Sequence, residues 1–149
     1  MPGLFPDRFN DEFQTFMIGT KLGEGVDREV YVFRGDTTKV IKIEKPGVEF
    51  SNVEEWTVWH EALHADVQDW FAPCYGISEG GRFLIQARTK PIERLPDKLP
   101  SFMTDIKREN FGRLPDGRIV AHDYSRHQLY TRGFANWRLK KVAKVDHER

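Results

Sequence analysis

Glu29-Val30-Tyr31-Val32-Phe33-Arg34, the pair Gly35-Asp36, and then Lys39-Val40-Ile41-Lys42-Ile43-Glu44 form the stretch that decides the fold. Both runs are rich in β-branched and aromatic residues and alternate in polarity, the period-two pattern of a strand with two distinct faces. Gly35-Asp36 supplies turn chemistry between them. Upstream, Phe16 to Leu22 is apolar and ends at Gly23-Glu24-Gly25. Three strands joined by tight turns therefore read as an antiparallel meander.

Working outward, Pro46-Gly47 breaks the sheet pattern. Ser51 or Asn52 then caps a helix running to about Ala65, with Val53, Trp56, Val58, Trp59 and Leu63 as its apolar stripe. Cys74 to Ser78 and Arg82 to Gln86, joined by Gly80-Gly81, read as a hairpin. Pro91, Pro96 and Pro100 mark a linker with little regular structure. Asn110 to Leu114 and Ile119 to Asp123 flank Pro115-Asp116-Gly117-Arg118, a further hairpin signal. The spacing predicts a basic C-terminal helix over Arg132 to Val145, packed through Phe134, Trp137, Val142 and Val145. It also predicts a short helix over Asp11 to Phe16, with Phe13 and Phe16 on one face. Strands, one helix, strands, a linker, a hairpin and a helix make an α+β arrangement.

Composition fits one globular domain. Of 149 residues, 39% are hydrophobic, 13% aromatic and 31% charged, and the formal net charge is zero. That balance excludes a disordered chain and gives no general pull towards nucleic acid. The charge is uneven, since from Arg126 to Arg149 seven Lys/Arg face only Asp146 and Glu148. A solvated last helix accounts for this, and nucleic acid is not an expected partner. A single cysteine, Cys74, excludes an internal disulfide framework and reads as a small buried residue. No apolar run approaches the ~20 residues of a membrane span, and no signal-peptide pattern is present. A cytoplasmic protein without a membrane partner is expected.

Several residues carry chemistry. Gly23 and Gly25 sit at a strand-to-strand turn, where a missing side chain lets backbone N–H groups approach phosphate oxygens. Lys42 alternates with Ile41 and Ile43 and so faces the opposite side of its strand. On that side it meets solvent or, in a cleft, a phosphate, with Glu55 on the next helix as the carboxylate to hold it. Asp105, Asn110 five residues on, and Asp123 after a short hairpin can converge. Phosphoryl transfer needs such a set: a carboxylate to orient the attacking hydroxyl, and hard oxygen ligands for magnesium.

Taken in order, these segments resemble the protein kinase superfamily. Leu22-Gly23-Glu24-Gly25-Val26-Asp27-Arg28-Glu29-Val30-Tyr31 resembles its glycine-rich loop, with Arg28 where the third glycine usually stands. Val40-Ile41-Lys42 resembles the strand lysine motif, and Glu55 the helix glutamate that pairs with it. Asp105-Ile106-Lys107-Arg108-Glu109-Asn110-Phe111 resembles the catalytic loop, and Asp123-Tyr124-Ser125 resembles D-F-G. The usual His-Arg before the catalytic Asp is Met103-Thr104 here, and Ser125 replaces the final glycine.

The resemblance implies a single domain over 1–149. Residues 1–15 would be an extension, 16–90 a kinase-like N-lobe of antiparallel sheet plus one helix, and 91–149 a much reduced C-terminal lobe. It implies ATP and magnesium. Asp105, Lys42 and Glu55 would be catalytic, and Gly23, Gly25, Lys42, Gln86 and Arg88 would bind the nucleotide, the last two near the adenine through backbone contacts. Asn110 and Asp123 would hold the metal. The phosphate acceptor, a protein Ser/Thr or a small-molecule hydroxyl, stays open, as does a catalytically silent domain that binds a partner protein.

A competing motif is His60-Glu61-Ala62-Leu63-His64, an H-E-x-x-H on the predicted helix. Two histidines at i and i+4 share a face, and the glutamate would activate a zinc-bound water in a peptidase. No downstream extension supplies the third ligand, and His122 or Glu79 are only distant candidates.

Overall fold

The computed structural model describes residues 3–5, 16–125 and 133–144. The short helix expected over Asp11 to Phe16 falls outside these residues, except for Phe16 itself. The fold is mixed α+β, and the described residues divide into two compact units. The first holds Met1–Thr57 and Pro73–Arg88, the second Val58–Ala72 and Thr89–Arg149. Among the described residues no helix is long and apolar enough to cross a membrane.

The first unit is built on a sheet. Its strands are β1 (Leu4–Phe5), β2 (Ile18–Glu24), β3 (Arg28–Phe33), β4 (Lys39–Glu44), β5 (Cys74–Ser78) and β6 (Phe83–Ala87), and helix α1 (Ser51–His64), of which 51–57 belong to this unit, follows β4. Spatial order is β1-β5-β6-β4-β3-β2. Five strands run antiparallel, and the two-residue β1 adds in parallel against β5. The predicted meander and the β5–β6 hairpin are therefore present, with bounds shifted by one or two residues.

Register decides which side chains meet α1. Arg28 lies opposite Glu44, Val30 opposite Lys42, and Val32 opposite Val40. Lys42 lies opposite Leu84 and Val40 opposite Gln86. Opposed residues share a face, so Arg28, Val30, Lys42, Glu44, Leu84 and Gln86 line one side. Tyr31, Ile41, Ile43 and Ile85 line the other.

The start of α1 differs from expectation. Ser51 is the first helical residue, and the cap comes from the sheet, because the Asn52 backbone N–H donates to Glu44 Oε1 at 2.8 Å. A carboxylate there satisfies an orphan N–H and complements the helix dipole, together worth about 1 kcal/mol. The buried residues of α1 are Ser51, Asn52, Glu55, Trp56, Val58, Trp59 and Ala62, while Val53 and Leu63 are exposed. The expected apolar stripe is thus corrected: at the start of the helix, polar Asn52 and Glu55 occupy the sheet-facing positions.

The second unit packs around rings. Phe71 is fully buried and lies 4.9 Å from Tyr124, 5.9 Å from Phe102 and 6.0 Å from Phe134, centroid to centroid. Trp137 meets Phe102 at 5.7 Å and Trp70 at 6.3 Å. The Tyr124 hydroxyl donates to the Ala72 carbonyl at 2.8 Å. Two small antiparallel pairs complete the unit: β7 (Lys98–Pro100) with β10 (Leu139–Lys141), and β8 (Phe111–Arg113) with β9 (Ile119–Ala121). The β8–β9 turn uses Gly117 at φ 93, a conformation glycine adopts without strain.

Two expectations fail here. The proline-marked segment has little regular structure, as expected, with only Lys98–Pro100 in a strand, but it packs rather than links, because Ile92, Leu95, Leu99 and Pro100 are buried. The tail is no helix over 133–143, and within its described part only Lys144 takes helical backbone. Gly133 (φ 63) and Asn136 (φ 56) take left-handed conformations that interrupt any helix. Leu139–Lys141 then extends against β7, with the Ser101 N–H donating to Arg138 O at 2.7 Å and the Val142 N–H to Asp97 O at 2.9 Å. Phe134 and Trp137 show helical spacing, but both belong to the ring cluster; Val145 lies outside the described residues. Phe71→Ala is expected to remove about 3–5 kcal/mol, read as a lowered urea midpoint, with Phe71→Leu losing clearly less.

Candidate functional site

The first unit gathers charge around Glu55, which is fully buried. Lys42 Nζ donates to Glu55 Oε2 at 2.8 Å. Arg28 grips both oxygens, Nη1 to Oε2 at 2.8 Å and Nη2 to Oε1 at 3.2 Å. Gln86 Nε2 adds a contact to Oε2 at 3.3 Å. The Asn52 side chain ties the cluster to backbone: its Oδ1 accepts from Arg28 Nη1 at 3.1 Å, and its Nδ2 donates to Arg82 O at 2.9 Å and Lys42 O at 3.2 Å. Turning the Gln86 amide nitrogen onto the carboxylate leaves its buried Oε1 without a donor among the described residues. Burial pushes the Glu55 carboxyl up, yet the adjacent charges of Arg28 and Lys42 and their hydrogen bonds prevail and hold it at about 2. Glu44 moves the other way: burial raises it, against the N–H groups of Asn52 and Ser51 and the charge of Arg28.

The glycine turn is exposed. Gly23 pairs with Val30 across β2–β3, and the Gly25 N–H closes a tight turn onto Arg28 O at 2.9 Å. Glu24 Oε2 meets Lys45 Nζ at 2.7 Å and its Oε1 meets Lys21 Nζ at 3.0 Å. A Cβ added to Gly23 or Gly25 would meet nothing within 4 Å, and neither glycine has a left-handed φ. The fold itself does not require glycine at either position. Gln86 sits mid-strand in β6 with neighbours on both sides, Val40 and Cys74. The Arg88 N–H donates to Thr38 O at 2.9 Å.

The second unit brings Asp105, Asn110 and Asp123 together. Asp105 has φ 49, which a short polar side chain tolerates. Asn110 Nδ2 donates to Asp105 O at 2.7 Å and to Asp105 Oδ2 at 3.1 Å. The Asn110 carbonyl accepts the N–H of His122 at 2.9 Å and that of Asp123 at 3.3 Å. Pairing of β8 with β9 places these two chain ends side by side, with Phe111 opposite Ala121. Lys107 Nζ lies 3.6 Å from Asp105 Oδ1.

His122 braces this arrangement. Its Nε2 is 2.6 Å from Glu109 O, and its Nδ1 is 2.6 Å from Thr89 Oγ1. A carbonyl only accepts, so Nε2 carries the proton; in the neutral ring Nδ1 then accepts from the Thr89 hydroxyl. Gly112 makes room for the brace, since a Cβ there would lie 2.3 Å from Thr89 Oγ1 and 2.7 Å from His122 Nδ1.

His60 and His64 are exposed on α1. Among the described residues no group of three or more His, Cys, Asp or Glu side chains is gathered as a metal cage. Cys74 is free and buried, as expected. No protein-family model matches the chain, and no curated protein matches it either.

Sequence reasoning missed Arg28, Asn52 and Glu44 as members of the buried network; it favours a structural role for His122 but does not identify Thr89 and Glu109 as its partners or Gly112 as the residue that makes room. A signal for Arg28 exists in its i, i+2, i+4 spacing with Val30 and Val32, which assigns it to their face. Because the Glu55 carboxyl is lowered on folding, the stability it confers is present above its unfolded value near 4.5 and lost as pH falls towards about 2. Wild type should lose on the order of 3 kcal/mol more than Glu55→Gln over that window, measured by urea unfolding at each pH. Gly112→Ala should cost about 1–3 kcal/mol by overpacking, seen as a lowered melting temperature.

Proposed function

We propose that the chain is a minimal kinase-like protein that binds a magnesium nucleoside triphosphate, ATP by the resemblance. The observation that carries this reading is the buried Lys42–Glu55 pair at 2.8 Å, formed between a sheet strand and the helix that follows it. The motif order asks for this pairing, and it forms between β4 of the β2–β4 meander and α1, which follows it. Lys42 contacts the phosphates. Gly23 and Gly25, which the fold does not require to be glycine, admit the phosphates close to the backbone.

The metal fits the donor set of the second unit. Asn110 spends its amide nitrogen on Asp105, so its Oδ1 would be the atom offered to a cation, and the Asp123 carboxylate would supply a second hard oxygen. Magnesium, when bound, neutralises charge on the phosphates. Asp105 orients an acceptor hydroxyl and receives its proton as that oxygen bonds to the γ-phosphorus, and the bond from this phosphorus to the β–γ bridging oxygen breaks to release the diphosphate. A second reading keeps the fold and the nucleotide but omits transfer; the hold of Asn110 and Lys107 on the Asp105 carboxylate favours it.

Thermal melts test the proposal. Mg-ATP at 100 times its dissociation constant should stabilise wild type by about 2.7 kcal/mol, and Asp123→Ala should abolish the shift. Gly25→Ala should leave the ligand-free melt within about 0.5 kcal/mol of wild type while weakening Mg-ATP binding. A zinc-induced shift lost in His60→Ala, with none from Mg-ATP, would overturn the proposal in favour of the H-E-x-x-H reading.

A further inference from the structure

Glu55 has more cation than one buried carboxylate needs. Lys42 takes one oxygen at 2.8 Å, and the Arg28 fork takes both, at 2.8 and 3.2 Å. Both cations are buried with it, at side-chain exposures of 7% for Arg28 and 5% for Lys42. A lysine that lends its ammonium to a phosphate leaves its carboxylate behind, and a buried carboxylate stripped of its only cation is strongly destabilising. With Arg28 in place that situation does not arise.

We propose that Arg28 is a positioning residue: a resident counter-ion that keeps Glu55 neutralised while the Lys42 ammonium shifts to a phosphate oxygen. The identity of the anion rests on the nucleotide reading above; the counter-ion role does not. Arginine suits the task because its planar guanidinium stays charged and matches both carboxylate oxygens at once. Its aim is fixed twice, by the register that sets Arg28 opposite Glu44 and by Asn52 Oδ1 at 3.1 Å from Nη1. A glycine at this position would supply neither charge nor aim.

Ligand-free melts of Arg28→Met, Lys42→Met and the double variant come first. Lys42→Met should lower the melting temperature less than Arg28→Met, because the fork still covers both oxygens. The double variant should fall by more than the sum of the two, and adding Glu55→Gln should recover most of that loss. Equal single losses that simply add would overturn the counter-ion role. Should Arg28→Met not fold, the Glu55→Gln background decides, since there Arg28→Met must fold and melt close to its parent; a large loss there overturns the proposal.

Calorimetric titration with Mg-ATP follows. Arg28→Lys keeps the charge but not the fork, and should bind about tenfold or more weakly than wild type, a difference of about 1.4 kcal/mol. Unchanged affinity would overturn the lending role. Wild type that does not bind Mg-ATP would sink the nucleotide reading and with it the lending role, and the ligand-free melts would still decide whether Arg28 is the resident counter-ion.

Discussion

A single buried carboxylate organises the first unit. Glu55 enters a place where an unpaired charge is untenable, so everything around it is arranged to supply donors. Lys42 comes from β4, Arg28 from β3, Gln86 from β6, and Asn52 lies one turn earlier on α1. Helix and sheet are therefore keyed together by charge as well as by apolar contact. Hydrophobic packing tolerates a small slide of one element over another. A carboxylate held by a two-point fork and an ammonium does not, because a shift of an ångström breaks several hydrogen bonds at once.

The second unit solves a different problem with different means. Its core is a cluster of rings around Phe71, and Asn110 and Asp123 lie at the chain ends that flank β8 and β9. Asn110 and Asp123 are adjacent because a short hairpin returns the chain to its starting point. His122, locked to Thr89 and Glu109, prevents the ends from splaying. Order there comes from backbone closure; in the first unit it comes from compensated charge. The phosphate chemistry proposed would call on both, since a lysine must be aimed and hard oxygens must be held close to one another.

The sequence disclosed what short-range pattern controls. Alternation over Glu29–Glu44 specified β3 and β4, and turn chemistry at Gly80-Gly81 and Gly117 marked two hairpins, because strand and turn preferences are local. Glu55 was legible as a candidate partner of Lys42, as a carboxylate on the next helix, and motif order singled it out. Arg28 was hidden by that same order: as a departure from a glycine position it reads as a loop residue, whereas cross-strand register makes it a buried ligand of Glu55. Register is a non-local property, and no window of sequence contains it. The tail misled for a related reason. Phe134 and Trp137 have helical spacing, but the free edge of β7 offered Leu139–Lys141 a better use of its backbone hydrogen bonds, and Gly133 and Asn136 permitted the turn away from helix.

The nucleotide proposal calls on Lys42, held by Glu55, and the metal proposal on Asn110 and Asp123. An amide NMR titration of the intact chain with ATP, using manganese in place of magnesium, tests them most directly. Paramagnetic broadening should centre on Asn110 and Asp123, with chemical-shift changes at Gly23, Gly25 and Lys42. Broadening centred on His60 and His64, or a spectrum indifferent to manganese-ATP, would contradict them.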